Sequence, residues 1–183
     1  PDLLARVYGW VSVQSPFWGA TVASMMYDNI ILRENGKTLF EWMGGDVAGM
    51  SGITINEREA YMNRFEVKGT IDLIKRKIKF LNYASFIIDE MGIDTPLELF
   101  RNLTQHRAGN NDGVVSLQSA LMASHGPGVD YVIEPAVDHL MTMTKYRADG
   151  FDLYQWINHK LGRKSRREYD QQKHTAALLK IIL

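Results

Sequence analysis

Apolar and polar positions change their spacing several times along the chain, and each change marks an element. Val7 to Val13 (VYGWVSV) is a short run rich in β-branched and aromatic residues, closed by Gln14-Ser15-Pro16. It predicts a buried strand that ends at a proline, which cannot donate to a ladder. Pro1 to Arg6 reads as the tail of a helix, and Val22 to Tyr27 as the start of another. Residues 34 to 55 are glycine-rich, with Gly44-Gly45 and Gly49 to Gly52 interrupting any pattern, and predict mostly loop. Asn56, with Glu59 three residues later, predicts a helix start, and Gly69 a stop. Ile71, Ile74, Ile78, Leu81 and Ile88 then recur near helical spacing, while Lys75, Arg76, Lys77 and Lys79 mostly point elsewhere. This predicts an amphipathic helix kinked near Asn82.

Thr95-Pro96-Leu97-Glu98 predicts the next helix, with Thr95 as cap, Pro96 at the first helical position and Glu98 completing a capping box. Its apolar face is Leu99, Phe100 and Leu103. After the loop Arg107 to Gly113, a short helix from Ser116 to Ala123 leads to Tyr131-Val132-Ile133, a second strand. Leu153, Trp156, Ile157 and Leu161 mark an amphipathic helix, and Ala176 to Leu183 a very apolar closing one. Strand-like runs flanking a helical middle, with helices at the end, predict an α/β domain that carries a helical insertion. There is no internal repeat.

Composition removes whole classes of function. With 183 residues and 45% hydrophobic content, the chain can bury the core of one domain. Lys plus Arg number 21 and Asp plus Glu also 21, so no global field favours nucleic acid, and no nucleic-acid partner is expected. The absence of cysteine excludes disulfides, thiolate metal sites and a cysteine nucleophile. No apolar run approaches the roughly 20 residues of a membrane span, and the start lacks the regions of a signal peptide, so a soluble protein without a transmembrane segment is expected. The first residue is not methionine, which predicts a processed, truncated or incompletely represented polypeptide. The basic cluster His159 to Arg167 has no interleaved aromatic platform and reads as a solvated helix end. The nine methionines fit core packing, and flexible methionines would also suit an acyl pocket.

Two stretches can carry chemistry. Asn110-Asn111-Asp112-Gly113-Val114-Val115 is a polar loop with an Asp-Gly turn, and Val137-Asp138-His139-Leu140 follows the Tyr131 strand. A carboxylate and, about 27 residues later, a histidine, each just past a strand or turn, is how adjacent loops of a parallel sheet supply a base and its orienting acid. Taken alone, an Asp-Gly pair is a turn and a lone histidine is a surface or core residue.

The order of three segments adds to this. Val11 to Ala23, a strand followed by Gln-Ser-Pro, aromatics, glycine and Val-Ala, resembles the segment after the nucleophile elbow in lipase- and esterase-like α/β-hydrolases. Asn111-Asp112-Gly113-Val114-Val115 with Ser119-Ala120 is similar to the loop carrying that family's triad acid. Asp138-His139-Leu140 resembles its histidine loop, and Thr175 to Leu183 its closing helix. The resemblance implies the C-terminal part of an α/β-hydrolase fold, a parallel sheet with flanking helices. Residues 1–24 and 106–183 would form the core, and 25–105 a helical cap or lid insertion. It implies hydrolysis of carboxylic esters, lipid esters among them, with Asp112 orienting the acid-base His139 and Phe17, Trp18 and Gly19 at the rim of the substrate cleft. No cofactor is implied. No metal is expected either, since Met141 stands where some secreted lipases of the family place a calcium-binding aspartate.

The family's nucleophile, a serine in Gly-x-Ser-x-Gly, is not in this sequence. Gly49-Met50-Ser51-Gly52 lacks the spacing, Ser124-His125-Gly126 lacks the leading glycine, and Ser15 is not placed as a nucleophile. The family would put the elbow before the Val7 strand, so the expected partner is the N-terminal part of the same hydrolase, either contiguous or on another chain. The alternative is a non-catalytic α/β-hydrolase-like interaction module with 56–105 as a helical partner surface. A third reading is an unrelated helical binding domain using the basic cluster. A second departure concerns the apolar strand expected before the acid: Leu97 to Arg107 reads as helix and polar loop, so either that strand is very short or residues are missing.

Overall fold

The computed structural model describes residues 3–29, 47–88, 97–122, 129–143 and 170–183. A 3₁₀ turn at Leu3–Arg6 precedes strand β1, Gly9–Val13. Helices α1 (Thr21–Asp28), α2 (Val47–Ser51), α3 (Ile55–Met62) and α4 (Phe65–Lys77) lead to strand β2, Lys79–Phe86. Helix α5 (Glu98–Ala108) and the short α6 (Leu117–Ala120) follow, then strand β3 (Asp130–Pro135), the short α7 (His139–Met143) and α8 (Gln171–Ile182).

The three strands form one parallel sheet in the order β1-β2-β3, with Gly9 opposite Lys79 and Leu81 opposite Asp130. Helices cover both faces, as a parallel sheet requires. On one face, Leu81 and Tyr83 pack with Leu178 and Ile182 of α8. On the other, Phe80 packs with Met62, Met122 and Val129, and Ala84 with Val115 and Ala120. Among the described residues the outer edge of β1 carries no partner strand, and Trp10 and Val13 on it are 44% and 43% exposed.

Strand β2 corrects two expectations. The helix predicted over Ile71 to Ile88 ends at Lys77, and its second half is the central strand. Because β2 is buried on both faces, KFLNYASF shows no alternation of apolar and polar residues, and Ile78, which caps α4, and Leu81 within the strand extend the helical spacing of α4 by coincidence. The stretch 25–105, expected as a helical insertion, therefore contains the middle strand of the sheet. No strand stands directly before the acid loop among the described residues; the strand whose end that loop meets is β2. Helix α5 intervenes, and the chain then returns to the strand's end, where Ile87 N donates to Asn111 O at 2.9 Å.

Smaller boundaries also move. Thr54, not Asn56, caps α3, accepting from Glu57 N, and Gly69 sits inside α4 rather than ending it. The glycine-rich region contains the short α2. Thr95, Pro96 and the helix expected over 153–161 lie outside the described residues.

Candidate active site

The acid loop is built from its own short polar side chains. Asn111 Oδ1 accepts from Gly113 N at 2.9 Å, and Asp112 Oδ1 accepts from Val114 N at 2.9 Å and Val115 N at 2.7 Å. Leu117 N donates to Asn110 O, closing the loop, and Ser116 then caps α6. Two backbone donors thus fix one oxygen of Asp112, and the other is directed at a different loop. Gly113 takes φ +93°, and a Cβ there would lie 2.5 Å from Leu97 Cβ. The turn has glycine because both the backbone angle and the space demand it.

The second loop follows β3. Ala136, at φ +66°, donates its N–H to Phe86 O at 2.7 Å, which turns the chain at the end of the central strand. Asp138 Oδ1 accepts from Met141 N at 2.8 Å and so caps α7. His139 opens that helix, and its backbone N–H donates to Asp112 O at 3.0 Å. The side chains meet as well: His139 Nδ1 lies 2.7 Å from Asp112 Oδ2. Asp112 is 1% exposed and the His139 side chain 15%.

With Asp112 ionised, Nδ1 carries the hydrogen and donates, so Nε2 presents a lone pair. Among the described residues, no side chain is hydrogen-bonded to Nε2. Burial by itself lowers the His139 pKa, but the charge of Asp112, its hydrogen bond and the charge of Asp138 outweigh burial and hold the pKa above 6.5. An imidazole with one nitrogen fixed on a buried carboxylate and the other available is equipped to take and return a proton.

Phe17, Trp18 and Gly19 stand apart from this pair in their contacts. Phe17 N donates to Ser119 O at 3.1 Å, Trp18 N to Ser119 Oγ at 3.1 Å, and Ser119 Oγ to Gly19 O at 2.6 Å. Ser119 lies in α6, directly after the acid loop, so the stretch is tied to the site through that helix. Both aromatic rings pack against the cluster of Met62, Phe80, Met122 and Val129. Phe17 also lines an open groove of about 560 Å³ with Trp10, Met62, Phe80, Met122 and Arg58. Gly19, at φ +97°, lets the chain pass beneath α3, where a Cβ would lie 2.5 Å from Ile55 Cα.

Sequence reasoning missed Gln14 and Thr142. Gln14 sits at φ +46°, donates its N–H to Tyr83 O at 2.8 Å, and is hydrogen-bonded through its side chain to Ser85 Oγ and Thr142 Oγ1. Only its place next to the strand-ending Ser15-Pro16 hinted at an unusual backbone. Among the described residues no group of three His, Asp or Glu side chains is placed to hold a metal ion, and no helix is long and apolar enough to cross a membrane.

No protein-family profile matches the sequence. No curated protein matches it either. A solved structure does resemble this one: the mature form of a lipase from Bacillus licheniformis, with a TM-score of 0.52 at 17% identity. The match covers 74% of this chain and 49% of that one, so the chain spans about half the length of the lipase. The likeness is one of fold, a partial and distantly α/β-hydrolase-like arrangement of parallel strands and flanking helices.

Proposed function

We propose that this chain is the part of a serine hydrolase that carries the acid and the base, acting on carboxylic esters by acyl transfer. The observation that supports the reading is the 2.7 Å approach of Asp112 Oδ2 to His139 Nδ1, made by two loops at the C-terminal ends of parallel strands. A serine from residues outside this sequence attacks the ester carbonyl, and His139 Nε2 takes its proton. The imidazolium, stabilised by Asp112, then protonates the leaving alcohol, and a water deprotonated by His139 releases the acid. Phe17, Trp18 and Gly19 contribute to the wall of the cleft that receives an ester or lipid substrate.

The nucleophile's carrier is the N-terminal part of the same hydrolase. The edge of β1, which has no partner strand among the described residues and exposes Trp10 and Val13, and the apolar groove beside Phe17 give a further strand and its helix a place to pack. Labelling the native protein with a fluorophosphonate probe tests this, since only an activated serine reacts. Labelling that disappears in His139→Ala, with ester turnover reduced by several orders of magnitude and folding retained, is the expected result. An unlabelled protein, or unchanged turnover in that variant, would leave a non-catalytic interaction module as the better account.

A further inference from the structure

Asp112 holds the ring of His139, but a ring hydrogen bond alone does not fix where the residue's backbone stands. A second set of bonds reaches that backbone from the end of β1. Gln14 follows the last residue of β1, is 2% exposed and adopts φ +46°, a conformation that a long side chain rarely takes without compensation. Its amide lies between Ser85 Oγ at the end of β2 and Thr142 Oγ1 in α7, two buried hydroxyls on elements far apart in sequence. Thr142 Oγ1 in turn donates to the carbonyl of His139 at 2.9 Å.

The donors can be counted. Thr142 has a single hydroxyl proton, while His139 O is a carbonyl that can only accept. As placed, Gln14 Nε2 faces Ser85 Oγ and Gln14 Oε1 faces Thr142 Oγ1, which would ask the one Thr142 proton to serve two acceptors; turning the amide over, so that its NH₂ faces Thr142 and its carbonyl Ser85, satisfies each group in one direction. The chain then runs from Ser85 to Gln14, from Gln14 to Thr142 and from Thr142 to His139. A buried network of this kind has one low-energy geometry, because any slip leaves a polar group unpaired away from water.

We propose that Gln14 is a positioning residue for His139. Through Thr142 it clamps the first turn of α7 to the ends of β1 and β2, so that the imidazole stays aligned on Asp112. This accounts for the left-handed backbone at Gln14: the strained angle turns the amide into the space between the two strand ends, where an extended residue would continue along the edge. The catalytic consequence rests on the reading of His139 as the base, but the alignment itself does not.

The test follows the Nδ1 proton of His139 in the intact protein by proton NMR, measuring its exchange with water. Asp112→Asn identifies the resonance. Thr142→Val, which keeps the shape and removes the hydroxyl, should speed exchange on the order of tenfold, as expected for losing one hydrogen bond of ordinary strength. Gln14→Gly, which relieves the backbone while deleting the amide, should do the same, and the double variant should add little to either. Thr142→Ser should restore slow exchange. If the serine-hydrolase reading also holds, Thr142→Val lowers kcat and leaves KM in place. If no ester is turned over but exchange responds as described, the enzymatic reading fails and the clamp stands. Exchange unchanged in both Thr142→Val and Gln14→Gly, with folding intact, overturns the clamp.

Discussion

Asp112 and His139 are joined twice: their side chains meet at 2.7 Å, and the backbone N–H of His139 donates to the backbone carbonyl of Asp112 at 3.0 Å. The backbone bond fixes the separation of the two loops whatever the side chains do. Replacing His139, or replacing Asp112 by a residue that keeps Oδ1 as the acceptor for Val114 N and Val115 N, therefore leaves the loops in register.

Asp112→Asn retains Oδ1 as an acceptor for Val114 N and Val115 N but turns an NH₂ toward His139. The imidazole then protonates on Nε2 instead of Nδ1, the wrong nitrogen for a base. On the proposed hydrolase reading, ester turnover should fall about 10⁴-fold, while circular dichroism and the thermal midpoint change little.

The pH dependence has a definite sign. His139 is held above its ordinary pKa of 6.5, burial being outweighed by Asp112 and Asp138, and in the proposed role of general base it works only when neutral. The acid limb of kcat/KM should therefore rise through an inflection above 6.5, and Asp112→Asn should move whatever residual activity remains to a lower inflection. The contribution to stability runs the other way. A histidine whose folded pKa is raised stabilises the fold below its unfolded pKa, and this is lost as pH rises through the folded value. A wild-type activity inflection below 6.5 would contradict the arrangement.

His174 in α8 should oppose it. Its Nε2 lies 3.2 Å from Glu134 Oε2, which also accepts from Tyr83 OH at 2.7 Å, and its ring packs edge-on to Tyr83 at 4.5 Å. Burial lowers its pKa more than Glu134 raises it. Its contribution is therefore full above the unfolded pKa and is lost as pH falls through the folded one. His174→Phe keeps the aromatic contact and removes the titration, so urea midpoints measured between pH 7 and pH 5 should fall less steeply than in the wild type.

Gly113→Ala should loosen the acid loop. The substitution meets both a positive φ and Leu97 Cβ at 2.5 Å, and a strained backbone of this kind costs about 1–3 kcal/mol. Urea unfolding should show a lower midpoint at unchanged slope. Gly109→Ala, at φ +63° with no atom within 4 Å of the added carbon, should cost less, since strain acts there without a clash.

What the sequence made legible were elements with strong local signatures. The strand around Val11, the Tyr131 strand and the closing helix stand where their patterns put them, and Asp112 and His139 were marked by loops that follow strands or turns. Strand β2 was hidden because burial on both faces erases the alternation that betrays a strand, and the helix before it supplies the wrong period up to its first residues. Gln14 was hidden for another reason. Its role depends on a backbone angle and on Thr142, 128 residues away, and no local pattern records either.

The parallel register also dictates how the molecule assembles. Gly9 meets Lys79 and Val13 meets Tyr83, so every rung between β1 and β2 closes a loop of about seventy residues before any strand contact rewards it. Helices such as α4 and α8 can form early from local contacts, whereas the sheet that unites the two loops must come late. The alignment of His139 on Asp112 is then among the last features to appear, and recovery of its imidazole resonance marks the end of refolding rather than its beginning.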